Sequence, residues 1–173
     1  MTAEQIAAAR EAVLRAEVAG DHALEAQAHL SLAPLLSANG AVVEAAEEYE
    51  QAARCLERIG QVAVRAQALA NAGVLFSQAR QPREGMLLSR QAAQLFAGLG
   101  DHAAQSRVEG NIAVMHRDLG ELELALTAAQ RAEEVAGVAP DPASMATLVG
   151  LQAELSAELG HRELACERAA AAT

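Results

Sequence analysis

Two histidines of the sequence stand in the same local context and are the first candidates for chemistry. His22 and His102 each follow an aspartate directly. Imidazole is a common zinc ligand, but no HxxxH or CxxC pattern and no carboxylate cluster accompanies either histidine. We interpret both as solvated side chains in the first turn of a helix, and we interpret the isolated His29, His116 and His161 in the same way. The sequence therefore predicts no metal site and no cofactor.

A second candidate is the tetrapeptide His116-Arg117-Asp118-Leu119, which matches the beginning of a protein-kinase catalytic loop. That loop requires an asparagine where this chain has Glu123, and the kinase reaction requires a lysine, which this chain lacks. We therefore interpret the tetrapeptide as the end of a helix followed by a turn. The absence of lysine also excludes Schiff-base chemistry and a phosphate-binding-loop lysine.

Acidic side chains are numerous, but their pattern does not indicate acid–base catalysis. Four of them share one predicted helix: Glu44, Glu47, Glu48 and Glu50. Paired carboxylates transfer protons in catalysis only within a cleft that shifts their pKa values, and an exposed helix face is the ordinary place for such a group. No serine or cysteine stands in a recognisable nucleophile motif. We expect a protein that is not an enzyme.

The amino-acid composition limits the classes of partner that the protein can bind. The chain is acidic, with 173 residues and a net charge of −10, which argues against nucleic-acid binding because phosphate groups need clustered cations. The charge is uneven, since a basic middle part lies between two acidic ends. This middle part contains six arginines: Arg54, Arg58, Arg65, Arg80, Arg83 and Arg90. They are either solvated arginines neutralised by the flanks or an electrostatic docking surface for an acidic partner segment.

The sequence shows no signal-peptide pattern, and its cysteine usage is that of a reduced protein, so we expect a cytoplasmic protein. The N-terminal segment carries charges where a signal peptide needs an apolar run, and no apolar stretch reaches the roughly 18 residues of a membrane span. Cys55 and Cys166 lie far apart in helix-patterned segments, so two buried or half-buried thiols are expected rather than a disulfide. We expect no membrane insertion.

A period of 40 residues sets the order of the elements. Glycines recur at positions 20, 60 and 100 and again at 40, 120 and 160, and Arg80 occupies the remaining place. With an alanine-rich apolar share of 52%, this period predicts an almost all-helical repeat protein with a core of small residues. We expect one domain over residues 1–173. It would contain an unpaired helix over 1–20, helix pairs over 21–60, 61–100 and 101–140, and a shortened pair over 141–173.

Local signals place the ends of these helices. Aspartates at positions 21, 101 and 141 are expected to cap helix N-termini, and Pro82 is expected in the first turn of its helix. The first helix of each pair should contain about 17 residues. Pro34 lies inside one of them and is expected to kink or interrupt it near Ala33.

The spacing of small residues and turns resembles the tetratricopeptide repeat (TPR), in a long form with a 40-residue period. The third unit carries most of the resemblance, in Asn111-Ile112-Ala113, His116, Leu119-Gly120, Leu122, Ala125, Ala129 and Ala132. Small residues also stand where paired helices must approach closely: Ala33, Gly73, Ala113 and Ala153, and Ala45, Gly85, Ala125 and Ala165. The resemblance implies an all-α fold, a right-handed α-solenoid of antiparallel helix pairs.

In the TPR family, the first helices line a concave surface that binds a peptide or a helix of a partner protein. Carried over to this chain, the resemblance implies partner-binding positions at Gln67, Asn71, Val74, Arg107, Asn111, Val114 and Arg117. The i, i+4, i+7 spacing places these positions on one face of each helix. The resemblance therefore implies a non-enzymatic adaptor or scaffold. The lysine-rich clamp of the chaperone-binding members is missing.

Two other functions stay open at this point. The first helix lacks a partner from its own repeat, and the last segment is short and apolar. The chain could therefore be a structural subunit that self-associates, or joins a larger complex, through its terminal helices and convex face. A third alternative is a sensor of a small molecule or signalling peptide.

Overall fold

The computed structural model describes residues 3–138 and 148–160, and throughout these residues the chain forms helices and tight turns without a β-strand. Seven of the helices in this part have both ends defined: α1 Ala3–Ala19, α2 His22–Ala38, α3 Val42–Arg58, α4 Val62–Gln78, α5 Pro82–Leu99, α6 His102–Asp118 and α7 Leu122–Ala136. Residues 148–160 are also helical and belong to α8. The all-α prediction is confirmed, and α2, α4 and α6 contain the expected 17 residues each. Among the described helices, none has the length and apolar character needed to cross a membrane.

The helix ends lie where the period predicted them. The glycines at positions 20, 40, 60, 100 and 120 have positive φ angles, and Arg80 adopts the same left-handed conformation with φ 64°. Asp21 accepts hydrogen bonds from the backbone N–H groups of Ala23 and Leu24, and Asp101 accepts one from Ala104. Pro82 begins α5 as expected, whereas position 141 lies outside the described residues.

The tetrapeptide from His116 to Leu119 is the end of a helix followed by a turn. Asp118 is the last residue of α6, and Leu119 caps the helix C-terminus. This local interpretation of the sequence is confirmed.

Pro34 does not interrupt α2, and the alternative of a kink near Ala33 stays a prediction. The helix is continuous from His22 to Ala38. Pro34 lies on the exposed side of the helix, so the pyrrolidine ring projects into solvent and water can solvate the carbonyl of Leu30, which loses its usual helix partner.

The chain divides into two compact units, Met1–Gly100 and Asp101–Thr173. In the first unit, each helix from α1 to α5 packs on the next one. In the second unit, α6 packs on α7, and Leu148 of α8 completes an apolar cluster with Ala132 and Ala136 of α7. Each unit has the small-residue core that the composition predicted. The assignment of residues 1–173 to one domain stays a prediction.

Small residues lie where paired helices approach closely. The alanines of two pairs are fully buried at these points: Ala33, Ala45, Ala113 and Ala125. Between α4 and α5 the approach is closer still, because a Cβ atom added to Gly73 would lie 2.8 Å from the carbonyl oxygen of Gly85. A Cβ atom added to Gly85 would overlap the carbonyl oxygen of Gly73 in turn. The predicted need for small residues is confirmed for these three helix pairs, whereas Ala153 of α8 is exposed and position 165 lies outside the described residues.

Candidate functional site

The predicted partner-binding residues of α4 lie on its outward face. Gln67 is exposed, and Asn71 and Val74 are half-buried, whereas the neighbouring Ala72 and Gly73 are buried in the helix pair. The side-chain amide of Gln67 donates a hydrogen bond to Oδ1 of Asn71 at 2.9 Å. This bond orients the Asn71 carboxamide and leaves its N–H groups available for a partner.

The same arrangement recurs on α6 in the second unit, 40 residues along the chain. Arg107 is exposed, and Asn111 and Val114 are half-buried. Within the described residues, the side chains of Arg107 and Asn111 have neither a hydrogen bond nor an ion pair. The seven predicted residues therefore form two polar faces, one in each compact unit, which we call the α4 face and the α6 face.

Arg117 differs from the expectation for this face. Its guanidinium lies 3.6 Å from a carboxylate oxygen of Glu154 in α8 and 3.8 Å from one of Asp118. These distances are long and the groups are partly exposed, so the pairs contribute little to stability, but they partly neutralise the cation. Arg107 is therefore better suited than Arg117 to bind a carboxylate of a partner.

Most arginines of the basic middle part are engaged within the chain. Arg54 pairs with Glu50 at 2.7 Å, and Arg65 pairs with Glu57 at 2.9 Å. Arg90 also interacts with other groups. These pairings favour neutralised arginines over an electrostatic docking surface.

The acidic group on α3 has structural partners as well. Glu44 pairs with Arg10 of α1 at 2.5 Å, and Glu50 pairs with Arg54 one turn further along α3. Glu47 is exposed. These contacts agree with a helix face that forms surface ion pairs.

Two histidines that we interpreted as solvated are buried instead. Nδ1 of His29 in α2 lies 2.5 Å from Oε2 of Glu48 in α3. Nδ1 of His116 in α6 lies 2.6 Å from Oε2 of Glu121, which precedes α7. Each pair joins the two helices of one repeat, which the isolated positions of these histidines in the sequence did not indicate. His161 lies outside the described residues.

His22 belongs to a polar cluster that the sequence analysis did not find. Nδ1 of His22 lies 2.9 Å from Oε2 of Glu25, and the thiol of Cys55 donates to the same oxygen at 3.3 Å. His22 is half-exposed, whereas Glu25 and Cys55 are buried between α2 and α3. Cys55 is a free, buried thiol as expected, and Cys166 lies outside the described residues. A nitrogen, an oxygen and a sulfur, each able to bind a metal, all lie within 4.8 Å of one another.

The contacts within this cluster shift two pKa values in opposite directions. The hydrogen bonds from His22 and Cys55 lower the pKa of Glu25 from its usual 4.5. Burial, together with the Glu25 carboxylate, raises the pKa of the Cys55 thiol to about 11. At neutral pH the cluster therefore contains a carboxylate that accepts hydrogen bonds and a thiol that keeps its proton.

No protein-family model matches the chain, and no curated protein matches it in sequence. Solved structures do match. BtubC (BKLC) from P. vanneervenii is similar with a TM-score of 0.74 and 23% identity over 88% of this chain, which spans 64% of the length of BtubC. A protein from P. anserina, named as a kinesin light chain with nearly identical TPR-like repeats, has a TM-score of 0.66 and 17% identity. That match covers 95% of this chain and 89% of the other protein. The chain therefore has the fold of the TPR-like repeat proteins.

Proposed function

We propose that the chain is a non-enzymatic interaction module that binds an extended or helical segment of a partner protein on its α6 face, and that the α4 face offers the same chemistry. One observation carries the proposal. Arg107 and Asn111 have no polar partner within the described residues, although Asn111 is half-buried. The polar groups of both side chains are therefore available for hydrogen bonds to a partner.

The chemistry of both faces suits a peptide. Asn71 and Asn111 occupy equivalent helix positions, and each carboxamide offers a donor and an acceptor that match a peptide backbone. Arg107 can bind a partner carboxylate through two parallel hydrogen bonds. Val74 and Val114 supply apolar contact on the same faces. Because aromatic residues make up only 2% of the chain, we expect modest affinity and polar specificity.

The side chains on these faces also support a binding function rather than a catalytic one. Carboxamide, aliphatic and guanidinium groups are neither good nucleophiles nor general bases near neutral pH. Cys55, a nucleophile by type, is buried in the helix pair and has a raised pKa, so little of it is thiolate at neutral pH.

The test uses peptides selected on the wild-type protein from a random display library. Their affinities are then measured by fluorescence anisotropy for wild type, for Arg107→Glu combined with Asn111→Ala, and for Arg83→Glu combined with Gln130→Ala. Arg83 and Gln130 are exposed and lie outside both faces, so the second double variant is a matched control.

We expect the first double variant to bind at least about 10-fold more weakly, since a central contact contributes more than about 1 kcal/mol. The control should bind as wild type does. Equal binding by all three proteins would place the peptide on another surface and contradict the proposal.

A further inference from the structure

The cluster of His22, Glu25 and Cys55 lies at one end of the α2–α3 helix pair and takes no part in the proposed partner binding. His22 and Glu25 are three residues apart in the first turn of α2, so they share one side of that helix. Cys55 belongs to the last turn of α3, which packs on α2. We propose that these three residues bind a divalent cation of the zinc type.

The geometry is close to that of a zinc site. Bond lengths of about 2.0–2.3 Å in a tetrahedral site separate neighbouring ligand atoms by roughly 3.3–3.8 Å. Oε2 of Glu25 lies 2.9 Å from Nδ1 of His22 and 3.3 Å from Sγ of Cys55. Side-chain movements of less than about 1 Å would open this arrangement around an ion.

The donor set selects the class of ion. A combination of imidazole nitrogen, carboxylate oxygen and thiolate sulfur suits Zn²⁺, whereas Mg²⁺ and Ca²⁺ require oxygen ligands. Three protein ligands leave a fourth position for water. Because the side chain of His22 is 36% exposed, that position can be reached from solvent.

Comparison of the repeats shows that the cluster is particular to one of them. The equivalent positions are occupied by Val62, Arg65 and Leu95 in the next repeat and by His102, Gln105 and Val135 in the following one. Neither set could bind zinc. The three ligand types therefore coincide only in the α2–α3 pair, so the repeat pattern alone does not account for them.

Binding requires a change of protonation that the cluster can make. The Cys55 S–H bond breaks as the bond from sulfur to the metal forms, and the proton leaves to solvent. The ring proton of His22 moves from Nδ1 to Nε2, and Glu25 binds as the carboxylate that it already is. Nη1 of Arg58 lies 3.4 Å from Nε2 of His22, so this exposed guanidinium must turn towards solvent. Arg58→Ala should therefore bind the ion a few-fold more tightly than wild type.

The experiment uses the full chain carrying Cys166→Ser, so that Cys55 is the only thiol. Co²⁺ serves as the probe because its bond to a thiolate produces a charge-transfer band in the near ultraviolet, and Zn²⁺ is then added to displace it. Cys55→Ser and His22→Ala remove ligands, while His102→Ala removes the equivalent histidine of another repeat. Circular dichroism confirms that each variant is folded.

We expect one Co²⁺ per chain, the thiolate band, and displacement by Zn²⁺. His102→Ala should leave these results unchanged. Cys55→Ser should lose the band, and both ligand variants should bind Zn²⁺ about 100-fold more weakly or worse. Absence of the thiolate band in the Cys166→Ser chain, or an unchanged Zn²⁺ affinity in folded Cys55→Ser, would overturn the proposal.

Discussion

Arg80 has a left-handed backbone conformation that a glycine would adopt at lower cost. Its φ angle is 64°, whereas Gly40 and Gly120 occupy the equivalent turns with φ angles of 85° and 74°. The hydrogen bonds of the turn are the same as in the glycine turns. The N–H of Arg80 donates to the carbonyl of Ser77 at 3.0 Å, and that of Gln81 donates to the carbonyl of Phe76 at 2.8 Å. The arginine therefore adds backbone strain without changing the turn.

Two opposing effects determine how much Arg80→Gly changes the free energy of unfolding. A residue with a Cβ atom costs about 1–2 kcal/mol in this conformation, and Arg80→Gly removes that cost. The glycine also gives the unfolded chain more freedom, which costs about 0.5–1 kcal/mol. Within the described residues, the Arg80 side chain has no hydrogen bond or ion pair to lose. The net gain in the free energy of unfolding should be about 0.5–1 kcal/mol, or about 1–4 °C in Tm for a chain of this length.

Urea denaturation and calorimetry would measure this gain. Gly120→Arg is the reverse substitution at an equivalent turn, and it should lower the free energy of unfolding by about 1 kcal/mol for the same reason. Arg83→Gly replaces an exposed arginine within α5, where the backbone is helical, and should destabilise by about 1 kcal/mol. If Arg80→Gly were no more stable than wild type, the argument from backbone strain would be refuted.

Two further predictions concern packing and ionisation. Gly85→Ala should lower the free energy of unfolding by about 1–3 kcal/mol because its Cβ meets the backbone of α4. Gly98→Ala, which meets nothing within 4 Å, should raise it by about 0.5–1 kcal/mol in the same urea titration. In metal-free protein, the thiol of Cys55 titrates near pH 9.0 when unfolded and near 11 when folded, so stability should fall as pH rises through this window. The two pKa units correspond to about 2.7 kcal/mol, which solvent screening reduces to about 1–2 kcal/mol. The chain contains no lysine to titrate in this range, and Cys55→Ala should remove this part of the pH dependence; an unchanged profile would contradict the assignment.

The helices were predictable because local chemistry determines their ends. A residue in the left-handed conformation closes most helices, and Asp21 and Asp101 cap two of the N-termini, so a short window of sequence contains the information. Pro34 shows the limit of such local reasoning. Its effect depends on whether the residue faces water or another helix, which only the packing of α2 determines.

The α4 and α6 faces were predictable for a similar reason, since helical periodicity places Gln67 beside Asn71 without any tertiary contact. The contacts of Arg117 and Cys55 were not predictable in this way. Arg117 meets Glu154 across 37 positions of sequence, and Glu25 meets Cys55 across 30, so both depend on how helices pack. A comparison of equivalent positions in successive repeats could have singled out His22, Glu25 and Cys55 as a set.

The polar groups buried between paired helices hold those helices together, whereas the polar groups on the outward faces are available to a partner. His29 with Glu48, His116 with Glu121, and the His22 cluster all join the two helices of one repeat, whereas Arg107 and Asn111 face outward. In a repeat protein the units interact mainly with their neighbours, so a change between α2 and α3 should have little effect on α6. Zinc bound at His22 should therefore stabilise the α2–α3 pair without changing peptide affinity at the α6 face. Peptide binding measured with and without Zn²⁺ tests this independence, and because the two sites share no residue, the failure of one proposal would leave the other standing.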